Sequence, residues 1–254
     1  MTRPVGDTFV KRRAGAPPGF TEVEAAGLRW LAAAPGGVPA VRPLEVAADR
    51  IVLPRLATVG ATAAAAEEFG RRLAATHRAG APWFGAPPAG HDGDGFIAEL
   101  PLPHQVPEPA PEDAGWGPFY ARLRLLPFAA ASPAVAAVCE RLLAGDPELV
   151  GPVDPPSRIH GDLWSGNVLW TSSGAVLIDP AAHGGHRETD LAMLALFGLP
   201  HLDRVLAAYD ESHPLPEGWQ SRVPLHQLHP LLVHARLFGG SYIAEADRVA
   251  RRYG

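Results

Sequence analysis

The chain has 254 residues, 47% hydrophobic and 19% charged, with a formal net charge of −5 at pH 7. Such a length can bury a sizeable core, and the acidic balance offers no basic footprint for nucleic acid. No apolar run approaches the ~20 residues that cross a bilayer, Arg3, Pro4 and Asp7 occupy the start in place of an apolar leader, and the single cysteine excludes an intramolecular disulfide. A cytoplasmic protein acting on a small molecule is expected, with its oligomeric state left open.

In chain order, residues 8–11 read as a strand and residues 21–33 as a helix, with Thr21 as N-cap and Glu24 at the third helical position. Residues 51–53 form a second short strand, followed by Pro54-Arg55-Leu56, and an Ala-rich helix covers residues 61–77. Residues 80–118 are dense in Gly and Pro without periodicity, a length that compact domains use around sites or leave without fixed structure. Within that stretch Phe96, Trp116 and Phe119 read either as contacts for a bound sugar or adduct or as anchors of a long loop on the core. Helices are predicted over residues 119–131, 133–144, 188–197, 202–210, 224–238 and 241–252. Cys139 falls in the second of these as a buried, inert thiol.

Two polar clusters carry the chemistry. The first, His160-Gly161-Asp162-Leu163-Trp164-Ser165-Gly166-Asn167, has the form H-x-D-x-x-x-x-N; the second is Leu177-Ile178-Asp179-Pro180. Residues 168–176 between them read as a strand, a Ser172-Ser173-Gly174 turn and a second strand, a hairpin that would set Asn167 beside Asp179. In phosphoryl transfer the protein mainly positions reactants and neutralises charge on phosphate oxygens. Asp162 suits the proton acceptor for an attacking hydroxyl, while Asn167 and Asp179 supply the hard oxygens that Mg²⁺ prefers.

Composition marks a further position. Of 22 basic residues only Lys11 is lysine. A compact ammonium kept where arginine is otherwise preferred suggests a phosphate contact, because a guanidinium fork is a poor substitute for a point charge. Glu24 is its expected partner, with Glu22 in reserve; the alternative is one solvated surface charge.

Together these residues resemble the fructosamine kinase (ketosamine-3-kinase) family, relatives of aminoglycoside and choline kinases. The likeness rests on residues 160–167, on Asp179-Pro180-Ala181, on Gly185-His186-Arg187-Glu188-Thr189-Asp190-Leu191-Ala192-Met193, and on residues 224–228 and 237–242. It implies an α+β, protein-kinase-like fold: a reduced N-terminal lobe over residues 1–56 and a mainly helical C-terminal lobe over 57–254. By resemblance Asp162 is the catalytic base, Asn167 and Asp179 hold Mg²⁺, Lys11 contacts ATP phosphates with Glu24 as its partner, and Asp190 braces the catalytic loop. The stretch Leu53 to Leu56, with Arg55, would be the hinge facing adenine; Pro54 offers only a carbonyl. Family members carry a glycine-rich hairpin ahead of the lysine strand, and the ten residues before Lys11 are too few for one, so that cover is expected to be missing.

The expected activity is ATP- and Mg²⁺-dependent phosphorylation of a ketoamine or glycated amine at its 3-hydroxyl, a deglycation step. The alternatives are another aminoglycoside- or choline-type phosphotransferase and a weakly catalytic nucleotide-binding pseudokinase. Trp164, His104, Trp116 and His186 are the candidate substrate contacts, Trp164 alternatively being a lid on the core. His226, His229 and His234 share one helix and read as zinc ligands or, more simply, as packing and pocket residues. His160 is expected to brace the loop, and Arg187 to brace carboxylates or form a surface pair.

Overall fold

The structure is a computed structural model that describes residues 7–104 and 115–254, the side chain of Ala131 aside. Residues 1–6, and the part of the Gly/Pro-rich loop over 105–114, lie outside the described residues. A small lobe opens the fold. Strand β1 (Thr8–Arg12) pairs antiparallel with β3 (Arg50–Pro54), which pairs on its other edge with β2 (Glu45–Ala47), giving the order β1-β3-β2. Registers Val10↔Val52 and Lys11↔Ile51 place the lysine beside the buried centre of the sheet. The three-residue β2 was not anticipated, because Glu45-Val46-Ala47 is too short for an alternation signal.

Helix α1 (Phe20–Ala32) packs on that sheet. It begins one residue earlier than expected. Gly19, at φ 82°, makes the turn into it, and Thr21 lies inside the helix instead of capping it. The threonine hydroxyl donates to the Ala47 carbonyl at 2.6 Å, which fixes the β2–β3 turn to the helix. Glu24, one turn further on, still faces Lys11.

The larger lobe is helical. Helix α2 (Ala63–Arg78), capped by the Thr62 side chain, lies along α7 (Leu202–Ser212). Beyond it come a short hairpin, β4 (Gly95–Ile97) and β5 (Leu100–Leu102), then α3 (Trp116–Phe119), which continues through a π-helical turn (Tyr120–Leu125) and a 3₁₀ turn (Leu126–Ala131). Helices α4 (Pro133–Leu143) and α5 (Pro147–Val150) precede β6 (Ser157–Ile159), which pairs with β9 (His183–Gly185) around the hairpin β7 (Val168–Thr171) and β8 (Gly174–Leu177). Helices α6 (Arg187–Phe197), α7, α8 (Trp219–Phe238) and α9 (Ser241–Ala250) complete the chain. Among the described residues no helix is long and apolar enough to cross a membrane.

Helix α8 contains Pro224 and Pro230 yet continues for 20 residues. Proline at 230 has no N–H for the His226 carbonyl. The buried Tyr120 hydroxyl takes over: it donates to the carbonyls of Leu225 (2.8 Å) and His226 (3.3 Å) and accepts from the His229 N–H (3.1 Å). A side chain from the π-helical turn thus repairs the ladder that proline interrupts.

Of three apolar clusters among the described residues, two are large and the third is a small one around Ile97, Leu102, Ala181 and Val233. The largest includes Leu28, Leu31, Ile51 and Leu53 of the small lobe with Phe69, Leu73, Leu163, Leu177 and Tyr209. The lobes therefore share apolar packing beside the Pro54–Leu56 connection, reinforced where the Val41 N–H donates to the Leu177 carbonyl at 2.9 Å. The second core gathers Phe119, Tyr120, Val138, Cys139, Leu142 and Leu228, so the lone thiol is buried as expected and Phe119 anchors its helix.

The α2–α7 contact depends on Gly70. A Cβ built there would lie 2.3 Å from the Val205 carbonyl oxygen. Helix propensity alone would favour Gly70→Ala by about 1 kcal/mol, whereas forcing the backbones apart costs ~1–3 kcal/mol. The substitution is expected to lower stability, measured by urea denaturation; a gain would show that α7 gives way freely.

Candidate active site

The H-x-D segment at residues 160–162 gets its shape from one buried carboxylate. Asp190, on α6, accepts from the backbone N–H groups of His160 (2.7 Å) and Gly161 (3.0 Å), and its Oδ2 lies 3.1 Å from His77 Nε2 on α2. Burial pushes its carboxyl up, but hydrogen bonding from His77 and His160 outweighs that and holds it below the ordinary value. Gly161, at φ 78°, passes so close to the Ala181 carbonyl that a Cβ would stand 2.2 Å from its oxygen. His160 braces the other side, with Nε2 donating to the Ile178 carbonyl at 2.9 Å and Nδ1 accepting from the Asp162 N–H at 3.2 Å. That donor pattern is the role expected of it.

The β7–β8 hairpin then does what its sequence predicts. Val168↔Leu177 pairing and the Ile178 N–H to Asn167 carbonyl bond (3.1 Å) bring Asn167 and Asp179 together. Asn167 Nδ2 donates to the Asp162 carbonyl (2.8 Å), to Asp162 Oδ2 (3.0 Å) and to the Asp179 carbonyl (3.4 Å). The amide oxygen is the atom left to offer a cation. Burial raises the Asp162 carboxyl above its ordinary value, with His160 and the Asn167 hydrogen bond opposing. Asp179 sits at φ 50°, a left-handed conformation that costs a side chain ~1 kcal/mol or more and recurs at functional sites.

From the small lobe, Lys11 Nζ donates to Glu24 Oε2 at 2.8 Å and lies 3.1 Å from Asp179 Oδ1. Burial pulls the ammonium down, and the charges of Glu24 and Asp179 together more than reverse it. For Glu24 burial dominates and raises the carboxyl, with Lys11 pulling against it. Lys11, Glu24, Asp162, Trp164, Asn167 and Asp179 all border one cleft of about 270 Å³. Trp164 is 40% exposed there, its ring laid over Gly166, and so faces solvent instead of sealing the core. Leu53, Arg55 and Leu56 border an adjoining, largely apolar cavity with Phe9, Val41, Leu169 and Ile178; Asp179 belongs to both. The donor set fits a hard divalent cation: one carboxylate and one amide oxygen, with a second carboxylate beside them.

Three expected substrate contacts lie elsewhere. His104 is turned into the base of the β4–β5 loop, where Nδ1 donates to the Gly93 carbonyl at 2.7 Å, and burial lowers it to about 4. Trp116 stacks between Tyr120 (4.9 Å) and His226 (4.4 Å) at the edge of the second core. The side chain of His186 caps α6 by accepting from the Glu188 N–H at 3.2 Å. Trp116 and His186 meet at 5.2 Å, yet the cavity they border contains neither Asp162 nor Asp179.

The histidines of α8 do not form a zinc site. His226 Nδ1 lies 3.0 Å from Thr189 Oγ1, the His229 ring packs against Phe128, and His234 borders a cavity with Asp162, Trp164, Met193 and Phe238. His186, Glu188 and His226 do converge within metal-binding reach. Arg222, however, holds Glu188 through two hydrogen bonds of 3.0 and 2.5 Å, so that carboxylate already has a fixed cation as its partner. Arg187 is buried, donating to Asp154 at 2.5 Å and to the His213 carbonyl at 3.0 Å, so it is no surface pair. Sequence reasoning missed the Lys11–Asp179 contact and the cleft positions of Phe20 and Ala98, neither of which carried a signal. His234, read as a packing or pocket residue if not a zinc ligand, borders the neighbouring cavity.

A lysine–glutamate pair, an H-x-D-x-x-x-x-N loop and a following Asp on one cleft wall match the comparison with known proteins. The fructosamine kinase family profile covers residues 2–253. The chain belongs to that family. Over 248 residues it is 34% identical to a "probable ketoamine kinase" of Thermus thermophilus, spanning 94% of this chain and 84% of that one. It superposes with a TM-score of 0.82 on a Thermobifida fusca protein assigned as a fructosamine-3-kinase, at 46% identity, over 96% of this chain and 85% of the other. A choline/ethanolamine kinase family protein from Mesorhizobium loti, 14% identical over 97% of this chain and 83% of its own, shares the fold at a TM-score of 0.60. The protein is thus a phosphotransferase with the two-lobe, α+β fold of protein kinases, and its family implies use of ATP.

Removing the Asp190 carboxylate orphans the buried His160 N–H and His77 ring and the half-buried Gly161 N–H, which costs on the order of 3 kcal/mol. Asp190→Ala should therefore lose that much in chemical denaturation, and near-parental stability would mean that the loop is held by other contacts. Glu188 is also held low, at about 2, burial being outweighed by His226 and Arg222. Stability contributed by these two depressed carboxyls is present above their unfolded values near pH 4 and should drain as pH falls through the folded values.

Proposed function

We propose that the protein phosphorylates a ketoamine at its 3-hydroxyl, using ATP and Mg²⁺, and so labilises sugar–amine adducts. The observation that carries this is the meeting of Lys11, Asp162, Asn167 and Asp179 on one cleft. The acceptor class follows the relatives' names, ketoamine kinase and fructosamine-3-kinase. We take residues 1–56 as the nucleotide-gripping lobe and 57–254 as the lobe of the catalytic loop and acceptor pocket.

In this reading adenine occupies the cavity of Phe9, Val41, Leu53 and Leu169. The Arg55 N–H is already given to the Asp7 carbonyl at 2.8 Å, which makes the Leu56 N–H the nearest hinge donor. Lys11, oriented by Glu24, meets the phosphates. Mg²⁺ held by Asp179 and the Asn167 amide oxygen would neutralise charge on the phosphate oxygens. Asp162 orients the acceptor hydroxyl and takes its proton as that oxygen bonds to the terminal phosphorus; the bond to the ADP oxygen breaks and its electron pair leaves with ADP. Asn167 Nδ2 keeps Asp162 aimed, and burial keeps its carboxylate basic enough to accept a proton. Trp164 offers the sugar an apolar face.

Asp162→Asn should leave nucleotide affinity nearly unchanged and lower kcat by at least ~10²-fold. Because burial raises Asp162, the acid limb of the parental kcat/KM profile should fall above the ordinary carboxylate value of about 4, and it should vanish from the residual activity of the variant. Near-normal turnover would remove Asp162 from the role. A panel of ketoamine and aminoglycoside acceptors tests the substrate class, and nucleotide binding without turnover on any acceptor would favour a pseudokinase.

Asp179→Ala should abolish Mg²⁺-dependent ATP binding in calorimetry, while Asn167→Ala should raise the Mg²⁺ concentration that turnover requires. Unaltered binding and Mg²⁺ dependence in both would mean that the hairpin does not carry the metal.

A further inference from the structure

Three cavities meet at one turn. The β4–β5 hairpin closes on Ala98 and Glu99, with Ile97 paired to Leu100 across them. Ala98 borders the central cleft with Lys11, Asp162 and Asp179. It also borders an outer cavity of about 310 Å³ with Lys11 and Arg13, and one of about 120 Å³ with Asp162, Trp164 and His234. Its φ is 49°. In a two-residue hairpin loop the first central position with φ above zero is one that glycine fills without strain, and a Cβ there is crowded. Such strain persists only where surrounding contacts hold it.

Those contacts come from the other lobe. Arg13, just past β1, sets Nη2 3.2 Å from Glu99 Oε1, donates from Nη1 to the Ala98 carbonyl at 3.4 Å, and lays its guanidinium 4.3 Å from the centre of the Phe20 ring. Phe20 in turn meets Phe96 of β4 at 5.1 Å. One ion pair and one aromatic pair therefore fasten a hairpin of the helical lobe to the small lobe at the mouth of the cleft. The ion pair is exposed, with the Glu99 side chain 72% accessible, and pairs of that kind are weak enough to part and re-form.

We infer that the Ala98–Glu99 turn, clasped by Arg13, is the acceptor-selecting edge of this site. The inference rests on the reading that transfer occurs at Asp162. Beyond Asp162 the smallest cavity is lined by Ile97, Met193, Val233, Leu237 and Phe238, and His234 is the other polar side chain with a lone pair to offer. Its Nδ1 donates to the Pro230 carbonyl at 2.8 Å, so in the neutral ring Nε2 is the acceptor. A ketoamine whose nitrogen carries a small, uncharged substituent fits: one hydroxyl on Asp162, another on His234, and the substituent against apolar side chains. A long or cationic substituent must pass under Ala98.

Ala98→Gly tests this with a stability readout of opposite sign. Losing the Cβ relieves the turn, so the thermal midpoint should hold or rise and ATP affinity should be unchanged. Selectivity should move: the kcat/KM ratio for a ketoamine of a lysyl peptide over that of a small secondary amine should increase about tenfold, the scale on which single methyl groups discriminate. Glu99→Lys, which sets like charges against each other, should shift the ratio the same way, and Arg13→Glu with Glu99→Lys should restore it. Parental selectivity in Ala98→Gly and Glu99→Lys, in an enzyme that Asp162→Asn silences, would overturn the inference while leaving the site intact. A parallel loss of ATP affinity would overturn it too, by making the clasp a general strut between lobes. Turnover surviving in Asp162→Asn would instead strike the underlying reading.

Discussion

The Asp190 carboxylate is the point on which the geometry of the candidate site depends. It is fully buried, and its two oxygens take the N–H groups of His160 and Gly161 while facing His77. A carboxylate in that position costs desolvation energy that only hydrogen bonds and nearby positive or dipolar groups offset. In return it joins three elements, α6, α2 and the segment after β6. Every later position follows from this. With the loop backbone pinned at 160 and 161, Asp162 emerges into the cleft, Asn167 reaches back to it, and the β7–β8 hairpin delivers Asp179.

Opposite that fixed wall, the small lobe contributes Lys11. Lys11 lies between Glu24, anchored on α1, and Asp179, anchored on the hairpin. Glu24 is nearly buried and its Oε1 has no partner, so its carboxylate is held in place by the ammonium more than by water. The lysine therefore works as a positional link: it is drawn toward α1 by one carboxylate and toward the catalytic wall by the other. A guanidinium, with its charge spread over a plane, would not fit two carboxylates at 2.8 and 3.1 Å in the same way. That geometry gives a physical reason for the sole lysine in a chain otherwise supplied with arginine.

How much of this was legible depended on whether the signal was local. The meeting of Asp162, Asn167 and Asp179 was readable because a loop and a hairpin of two four-residue strands place them, and both are written in contiguous sequence. Lys11 and Glu24 were readable because composition isolated the first and helical periodicity offered the second. By contrast, His104, Trp116 and His186 were singled out only as polar or aromatic side chains in a loop and a motif, and tertiary packing places each in contacts outside the cleft of Asp162 and Asp179. Thr21 had the right type for a cap, but a carbonyl from β2 competed for its hydroxyl. Ala98 and Phe20 had no sequence signal, since their place in the cleft comes from a clasp between segments some eighty residues apart.

The distribution of backbone strain follows the same division between scaffold and site. Three non-glycine residues among those described have positive φ: Ala98, Asp179 and His201. His201 enters α7 from a left-handed turn, an ordinary use of that conformation at a helix start. The other two border the cleft from opposite walls. Relaxing Asp179 would swing its carboxylate away from Lys11 and shift the carbonyl that accepts from Asn167 Nδ2; relaxing Ala98 would lift the turn from Arg13. Both strained conformations thus hold a group toward the space between the lobes, where the reactants would lie. Each is held by a charge from the small lobe, Lys11 for one and Arg13 for the other, two residues apart on the same edge of the chain. The single edge formed by β1 and the residue after it therefore contacts both strained positions, through Lys11 and Arg13.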